Sequence, residues 1–166
     1  MDRIYNDLVT RIKAKVPEIL YIDYDAGQID APENNLPFVM PATFIDFETA
    51  DWQTVGGQQV QVADLVVSFR TVFRLWNHTN STAPTEVRTA ALDALKLINK
   101  LHKYLQHYTA GNHYNGLDRF VSITERRTDG TKVFIMKYKT NIRDNWAMPD
   151  TTAVENLKLK ITADIK

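Results

Sequence analysis

The chain reads as an α+β protein: a mostly antiparallel sheet of long hairpins, with an N-terminal helix and one long central helix packed on it, plus a C-terminal strand. Three patterns predict this. Residues 59–75 alternate apolar and polar for seventeen positions, with Ala63, Leu65, Val67, Phe69 and Phe73 on one side. Asp129-Gly130 sits between two further strand-like runs, a strong hairpin signal. Val87, Ala91, Ala94, Leu95, Ile98, Leu101, Leu105 and Tyr108 recur at the helical period. The first pattern carries the most information. Period-two alternation marks a strand with one buried face. Seventeen residues at about 3.3 Å each would span roughly 55 Å. A compact domain of this length is only about 40 Å across. The strand must therefore curl, bulge or project, and a projecting edge calls for a neighbouring subunit.

The elements follow in order. Ile4, Leu8, Val9, Ile12 and Val16 form a helical stripe over residues 2–16, and Pro17 stops it. Residues 20–24 predict a short strand, and Asp25 to Gln28 a turn. Residues 31–37, with Pro32, Asn34, Asn35 and Pro37, predict a loop. A strand over 38–47 is weakened locally by Pro41. With Gly56-Gly57 at its tip, 38–52 and 59–76 predict a long hairpin. Pro84 suits the first turn of the central helix, with Ser81 or Thr82 as cap and Gly111 as its stop. Strands are predicted over 120–127 and 132–142, and residues 145–149 break the pattern. Leu157, Leu159, Ile161, Ala163 and Ile165 then alternate with polar residues, a last amphipathic strand. The domain division expected is 1–149 as a single α+β domain, with 150–166 a strand or arm of the same domain or of an intersubunit contact.

Composition narrows the function classes. Twenty basic residues balance twenty acidic ones, so no overall charge favours nucleic acid or an anionic membrane. The absence of cysteine removes disulfides, thiolate metal sites and cysteine nucleophiles. The opening residues carry no apolar signal region, and no run approaches the ~20 apolar residues of a membrane span. Asn77-His78-Thr79 and Asn80-Ser81-Thr82 match the glycosylation pattern but read as a polar loop.

Motifs for chemistry fail on spacing. His102 and His107 are five apart, about 140° around a helix, whereas helical zinc motifs use three or four. His78 and His113 have no accompanying carboxylate motif. An EF-hand register from Asp23 finds Asp25, but Gly27, Gln28 and Asn34 stand where a third ligand, a glycine and a glutamate are needed. The acidic cluster of Asp23, Asp25, Asp30 and Glu33 reads as a solvated turn, and Arg126-Arg127 as part of a solvated sheet edge. No Gly-x-Ser-x-Gly occurs, and Gly56-Gly57 lacks the lysine of a phosphate cradle. No catalytic, metal or cofactor site is expected, and the chain is expected not to be an enzyme. Trp52, Trp76 and Trp146 at strand ends and in loops suit loop anchors or interface anchors.

Tyr21-Ile22-Asp23-Tyr24-Asp25-Ala26-Gly27-Gln28 and residues 36–47 resemble a segment of phage and prophage proteins. The element order over residues 2–145 resembles the tail terminator and tail-completion (neck) proteins of tailed bacteriophages. That resemblance implies a virion protein, assembled in the host cytoplasm. It would form a homo-oligomeric ring, typically hexameric, at the head-proximal end of the tail. Tail tube and head–tail connector would be its partners, with no membrane, no cofactor and no specific nucleic-acid recognition, though DNA may pass through the ring. Such a ring ends tube polymerisation and joins tail to connector. Another neck or head–tail joining protein, or an adaptor holding a partner at a sheet edge, are the alternatives. The interface residues expected are Trp52, Gly56, Gly57, Val60, Val62, Trp76, Trp146, Leu157, Leu159 and Ile161. The apolar face of the last strand must dock on its own sheet or on a neighbour; an added edge strand that leaves the core complete favours the neighbour.

Overall fold

The computed structural model describes residues 1–30, 38–56, 60–74, 80–111 and 113–144. Among them run α1 (Asp2–Lys15), β1 (Tyr21–Tyr24), β2 (Ala42–Thr54), β3 (Gln61–Arg74), α2 (Thr85–Leu105), β4 (Asp118–Glu125) and β5 (Thr131–Asp144). The five strands form one sheet in the order β1-β2-β3-β5-β4. The α+β class is as the sequence predicts. Every pairing is antiparallel except β1 with β2, which is parallel.

β3 is the spine. It pairs with β2 from Gln61 to Val72 and with β5 from Gln61 to Arg74. The alternation fixes which side each residue takes, since a one-residue slip would turn the apolar set outward. Ala63, Leu65, Val67, Phe69 and Phe73 all face the helices and are buried. From α1, Ile4, Leu8 and Ile12, with Val16 and Ile19 beyond it, cover this face at helical spacing. Ile98, Leu101 and Leu105 of α2 complete the layer. Arg11 ties the helices together by donating from Nε to the Tyr104 carbonyl at 3.1 Å and lying 4.5 Å above the Tyr108 ring.

The opposite face is covered at one end only. Ile29, Ala42, Phe44, Val72 and Val133 form a second buried cluster. Phe38 packs there, with ring centroids 5.1 Å from Phe44 and 6.0 Å from Tyr21. A bulge at Glu48 shifts the β2 register between Phe47 and Thr49. Bulges bend a strand and sharpen its twist; this one brings Glu48 within 2.7 Å of Lys137.

Four local expectations are corrected. The strand after the loop begins at Ala42, not at residue 38, because Phe38 and Met40 turn into the second cluster. Neither Ser81 nor Thr82 caps α2. Asn80 Oδ1 accepts from the Thr82 amide and hydroxyl, so that side chain closes the turn before Pro84. α2 ends at Leu105 rather than near Gly111: His107 takes φ 54° and its amide donates to the Leu117 carbonyl at 2.8 Å. Among the described side chains of the α2 stripe Ile98, Leu101 and Leu105 are buried, and Val87 and Leu95 are exposed. Asp129-Gly130 turns as predicted, with Gly130 at φ 76°, a conformation open to glycine without strain. The C-terminal strand lies outside the described residues.

Phe69 is fully buried, and its ring meets Tyr138 edge-on at 5.4 Å. Phe69→Ala should cost about 3–5 kcal/mol in urea unfolding, the range for a large-to-small change in a packed core. A loss below about 1 kcal/mol would show that β3 is not the centre of the core.

Candidate interaction surface

The β2–β3 hairpin leaves the double-covered body at its far end. Asp51 to Thr54 are all exposed, Trp52 at 41% and the following Val55 at 47%. The Val55 amide donates to the Val60 carbonyl at 2.9 Å, and Gly56 turns the chain with φ 65°. Val60 and Val62 on the return are half-buried. Of the residues expected at an interface, the structure thus brings Trp52, Gly56, Val60 and Val62 together at this tip. Gly57, Trp76, Trp146, Leu157, Leu159 and Ile161 lie outside the described residues.

A second surface opens between α2 and the segment preceding β2. Phe38, Val39, Met40, Phe73, Ala94 and Leu97 line a cleft of about 940 Å³. Its rim is charged. Lys100 donates to Glu18 at 2.5 Å, and that hydrogen bond holds the Glu18 carboxyl below its usual range. Leu92 and Leu95 are exposed along the same part of α2.

The third feature is an ion-pair cluster invisible in the local sequence. Arg70 of β3 contacts Asp25 (3.2 Å), Asp30 (2.8 Å) and Glu125 (3.3 Å). Arg127 contacts Asp30 (2.8 Å), Glu125 (3.3 Å) and Asp129 (2.7 Å), and donates to the Ile29 carbonyl at 2.7 Å. The cluster overturns two sequence readings. The Asp25 side chain is only 7% exposed rather than solvated, and Arg127, at 13%, is not part of a solvated edge. Hydrogen bonds from Arg70, opposed by partial burial and joined by Arg127, hold Asp30 below its ordinary value. Arg127 and then Thr131 do the same for Asp129. The chemistry is that of a latch: it fastens residues 25–30 across the sheet to β3 and to the β4–β5 turn. No local signal marks it, because partners such as Arg70 and Asp25 stand 45 residues apart.

The histidines do not converge. His102 Nδ1 lies 3.0 Å from the Tyr138 hydroxyl; burial, with the Arg119 charge nearby, lowers its pKa. His107 Nδ1 sits 3.0 Å from Asp118 in the open, and His78 is outside the described residues. Among the described residues no group of three or more His, Cys, Asp or Glu side chains could hold a metal ion. No helix among them is long and apolar enough to cross a membrane.

No protein-family model matches the chain, and no curated protein matches it in sequence. Among solved structures it is similar to a chain from the virion of a native gene transfer agent particle. Identity is 10% and the TM-score 0.42, over 82% of this chain and 92% of that one.

The latch predicts a pH profile. A carboxyl held below its unfolded value contributes stability that is present above that value and lost as pH falls through the folded one. For Asp30 and Asp129 the loss begins below about pH 4. His102, whose folded pKa is lowered, adds a shallow loss starting below about 6.5. The thermal midpoint should therefore decline gently and then steeply on acidification, and Asp30→Asn should flatten the steep limb. An acid limb unchanged in Asp30→Asn would contradict this assignment.

Proposed function

We propose that the chain is a non-enzymatic structural protein of a phage-like virion. Copies close into a ring at the head-proximal end of the tail, end tube polymerisation, and join the tail to the connector. The observation that carries this reading is the hairpin end, where Trp52 and Val55 stand in solvent beyond the region covered on both faces. An exposed apolar tip on a two-stranded ribbon suits a heterologous contact, in which one copy inserts into a different surface of the next; such contacts make a ring where the rotation closes and a filament where it does not. The apolar cleft bounded by Phe38, Phe73 and Leu97 is the surface that tip would meet, being concave, apolar and rimmed with charge. The resemblance of residues 21–28 and 36–47 to phage proteins supports the virion setting. DNA would pass through the ring unread, consistent with twenty basic residues matched by twenty acidic ones.

An adaptor role has one observation in its favour. Beyond Ile45 the outer edge of β2 has no strand beside it among the described residues, and such edges can take an extended peptide. Particle mass separates the two readings: a closed multiple of the 19.1 kDa subunit supports the ring, and a stoichiometric foreign peptide supports the adaptor.

Val55→Asp tests the ring. The position is exposed, so unfolding free energy should stay within about 0.5 kcal/mol of the parent. Native mass spectrometry at high concentration, or imaging of tube ends, should show the ring lost. Full assembly by this variant, or an assembled particle in which the hairpin touches only its own subunit, would defeat the proposal.

A further inference from the structure

The outer edge of β2 over residues 46–54 and the alternating sequence over 157–165 are nine residues each. β1 covers β2 only from Ala42 to Ile45. Asp46 to Thr54 then present nine residues of edge with no strand beside them among the described residues. On the helix side this edge carries Phe47, Ala50 and Trp52, none of them buried. Beside it Met1, Asp2, Tyr5, Tyr24 and Phe47 line a largely apolar depression of about 380 Å³. A long exposed edge next to an apolar hollow is a liability that folded proteins cover.

We infer that residues 157–165 dock as a sixth strand on the outer edge of β2 between Asp46 and Thr54 of the same subunit. Their apolar side chains continue the Phe47–Ala50–Trp52 side over the depression. The inference does not rest on the ring.

The register supplies the geometry. Asp144 pairs with Gln61, which pairs with Thr54, so the end of β5 lies two strands from the vacant edge. Two strand spacings are about 10 Å. The twelve residues 145–156 reach about 40 Å when extended, enough to span that distance past the end of the hairpin. β5 runs parallel to β2, because each is antiparallel to β3. A chain that leaves β5 and turns back therefore meets β2 antiparallel, the slightly more stable pairing. Leu157, Leu159, Ile161, Ala163 and Ile165 then lie on one side, and Lys158 and Lys160 on the side that carries exposed Asp51. Opposite charges across strands add to such a pairing.

The rival edge, β4, fits less well. A returning chain would run parallel to it, since β4 is antiparallel to β5. Its start is already in use: His107 donates to the Leu117 carbonyl at 2.8 Å, and Gln106 Oε1 accepts from the Arg119 amide at 3.2 Å. On the helix side β4 offers Arg119, Ser122 and Thr124, no continuation for an apolar face. The pattern alone favours a neighbouring subunit for this segment. The register turns that preference round, because a tether this short gives the subunit's own edge an effective concentration near the millimolar range.

Engineered cysteines test this cleanly, since the chain has none of its own. The full-length pair Gln53→Cys/Lys158→Cys is oxidised at a concentration where the subunit is monomeric. A disulfide within the chain should form, whereas Ile123→Cys/Lys158→Cys, which probes the β4 edge, should stay open. Cross-links only between chains, closure at Ile123→Cys as fast as at Gln53→Cys, or no cross-link would each overturn the inference. A second readout holds if the cysteine variants fold poorly. In the full chain carrying Leu159→Asp and Ile161→Asp, amide exchange over Asp46–Thr54 should speed at least tenfold with Phe69 unchanged. Unaltered exchange at that edge would overturn it equally. Each result is read on monomer, so failure of the ring proposal leaves this outcome untouched.

Discussion

The constraint on which the structure depends is that β3 is paired on both sides and must be covered along its helix-facing side. It is hydrogen-bonded to β2 and β5 along nearly all of its fourteen residues, so its backbone needs nothing further. Its side chains set the problem. Toward the helices, Leu65, Val67 and Phe69 demand an apolar layer, and α1 with the second half of α2 supplies it. Each such side chain, fully buried, is worth about 1.5–3 kcal/mol, comparable in sum to the stability of a typical domain. The helices are placed by this demand more than by each other; Arg11 against Tyr104 and Tyr108 adds a hinge-like tie.

The other face is handled differently. Val72 and Val133, with Phe44 of β2 beside them, are covered by Phe38 and Ile29, which come from irregular chain rather than a helix. Irregular chain packs a sheet only when something fixes it, and here Arg70 and Arg127 do so through Asp25, Asp30 and the Ile29 carbonyl. Removing one partner of such a set leaves its charged neighbours partly unsatisfied, a larger effect than exposed pairs produce. The latch reaches only one end of the sheet. Past Glu48 the same face carries Asp51, Asp64 and Arg143 in solvent. The molecule is thus closed at the Ala42 end and open at the Thr54 end.

What was legible in the sequence follows the range of each interaction. The alternation of β3, the i, i+4 stripe of α1 and the Asp129-Gly130 turn are set within a few residues, and the structure has all three. The parallel placement of β1 has no short-range mark, because Tyr21 meets Ala42 only after a crossover. The end of α2 is likewise set by a distant contact. Tyr108 extends the apolar stripe, yet the chain turns at His107 to bond with Leu117, and the absent Cβ of Gly116 makes room for that approach: a Cβ there would stand 3.2 Å from the His107 backbone. Arg70 and Arg127 were the largest omission. On a strand whose neighbours are apolar, a charged residue at the wrong parity reads as solvent-facing, and only the folded chain shows acids waiting opposite it. At the candidate surface, the exposure of Trp52 and the left-handed Gly56 sit where the long alternation of the sequence runs out.

That excess length has a physical consequence for assembly. A sheet covered on both faces has no use for strands that outrun the cover, since Gln53 and Thr54 gain no burial from their own subunit. Ordering each such residue still costs about 1–2 kcal/mol of backbone entropy. Folding alone does not offset that cost at the tip; a contact that forms after folding can. The same reasoning applies to the open β2 edge, but there an occupant within the chain is at hand. If the edge is filled from within, it is unavailable for indiscriminate pairing, while Val55 at the tip stays exposed for a contact of its own. A subunit with its edge closed and its tip open can add to a specific cleft but not to any exposed strand. That is the property required of a part that must join a structure once and not propagate.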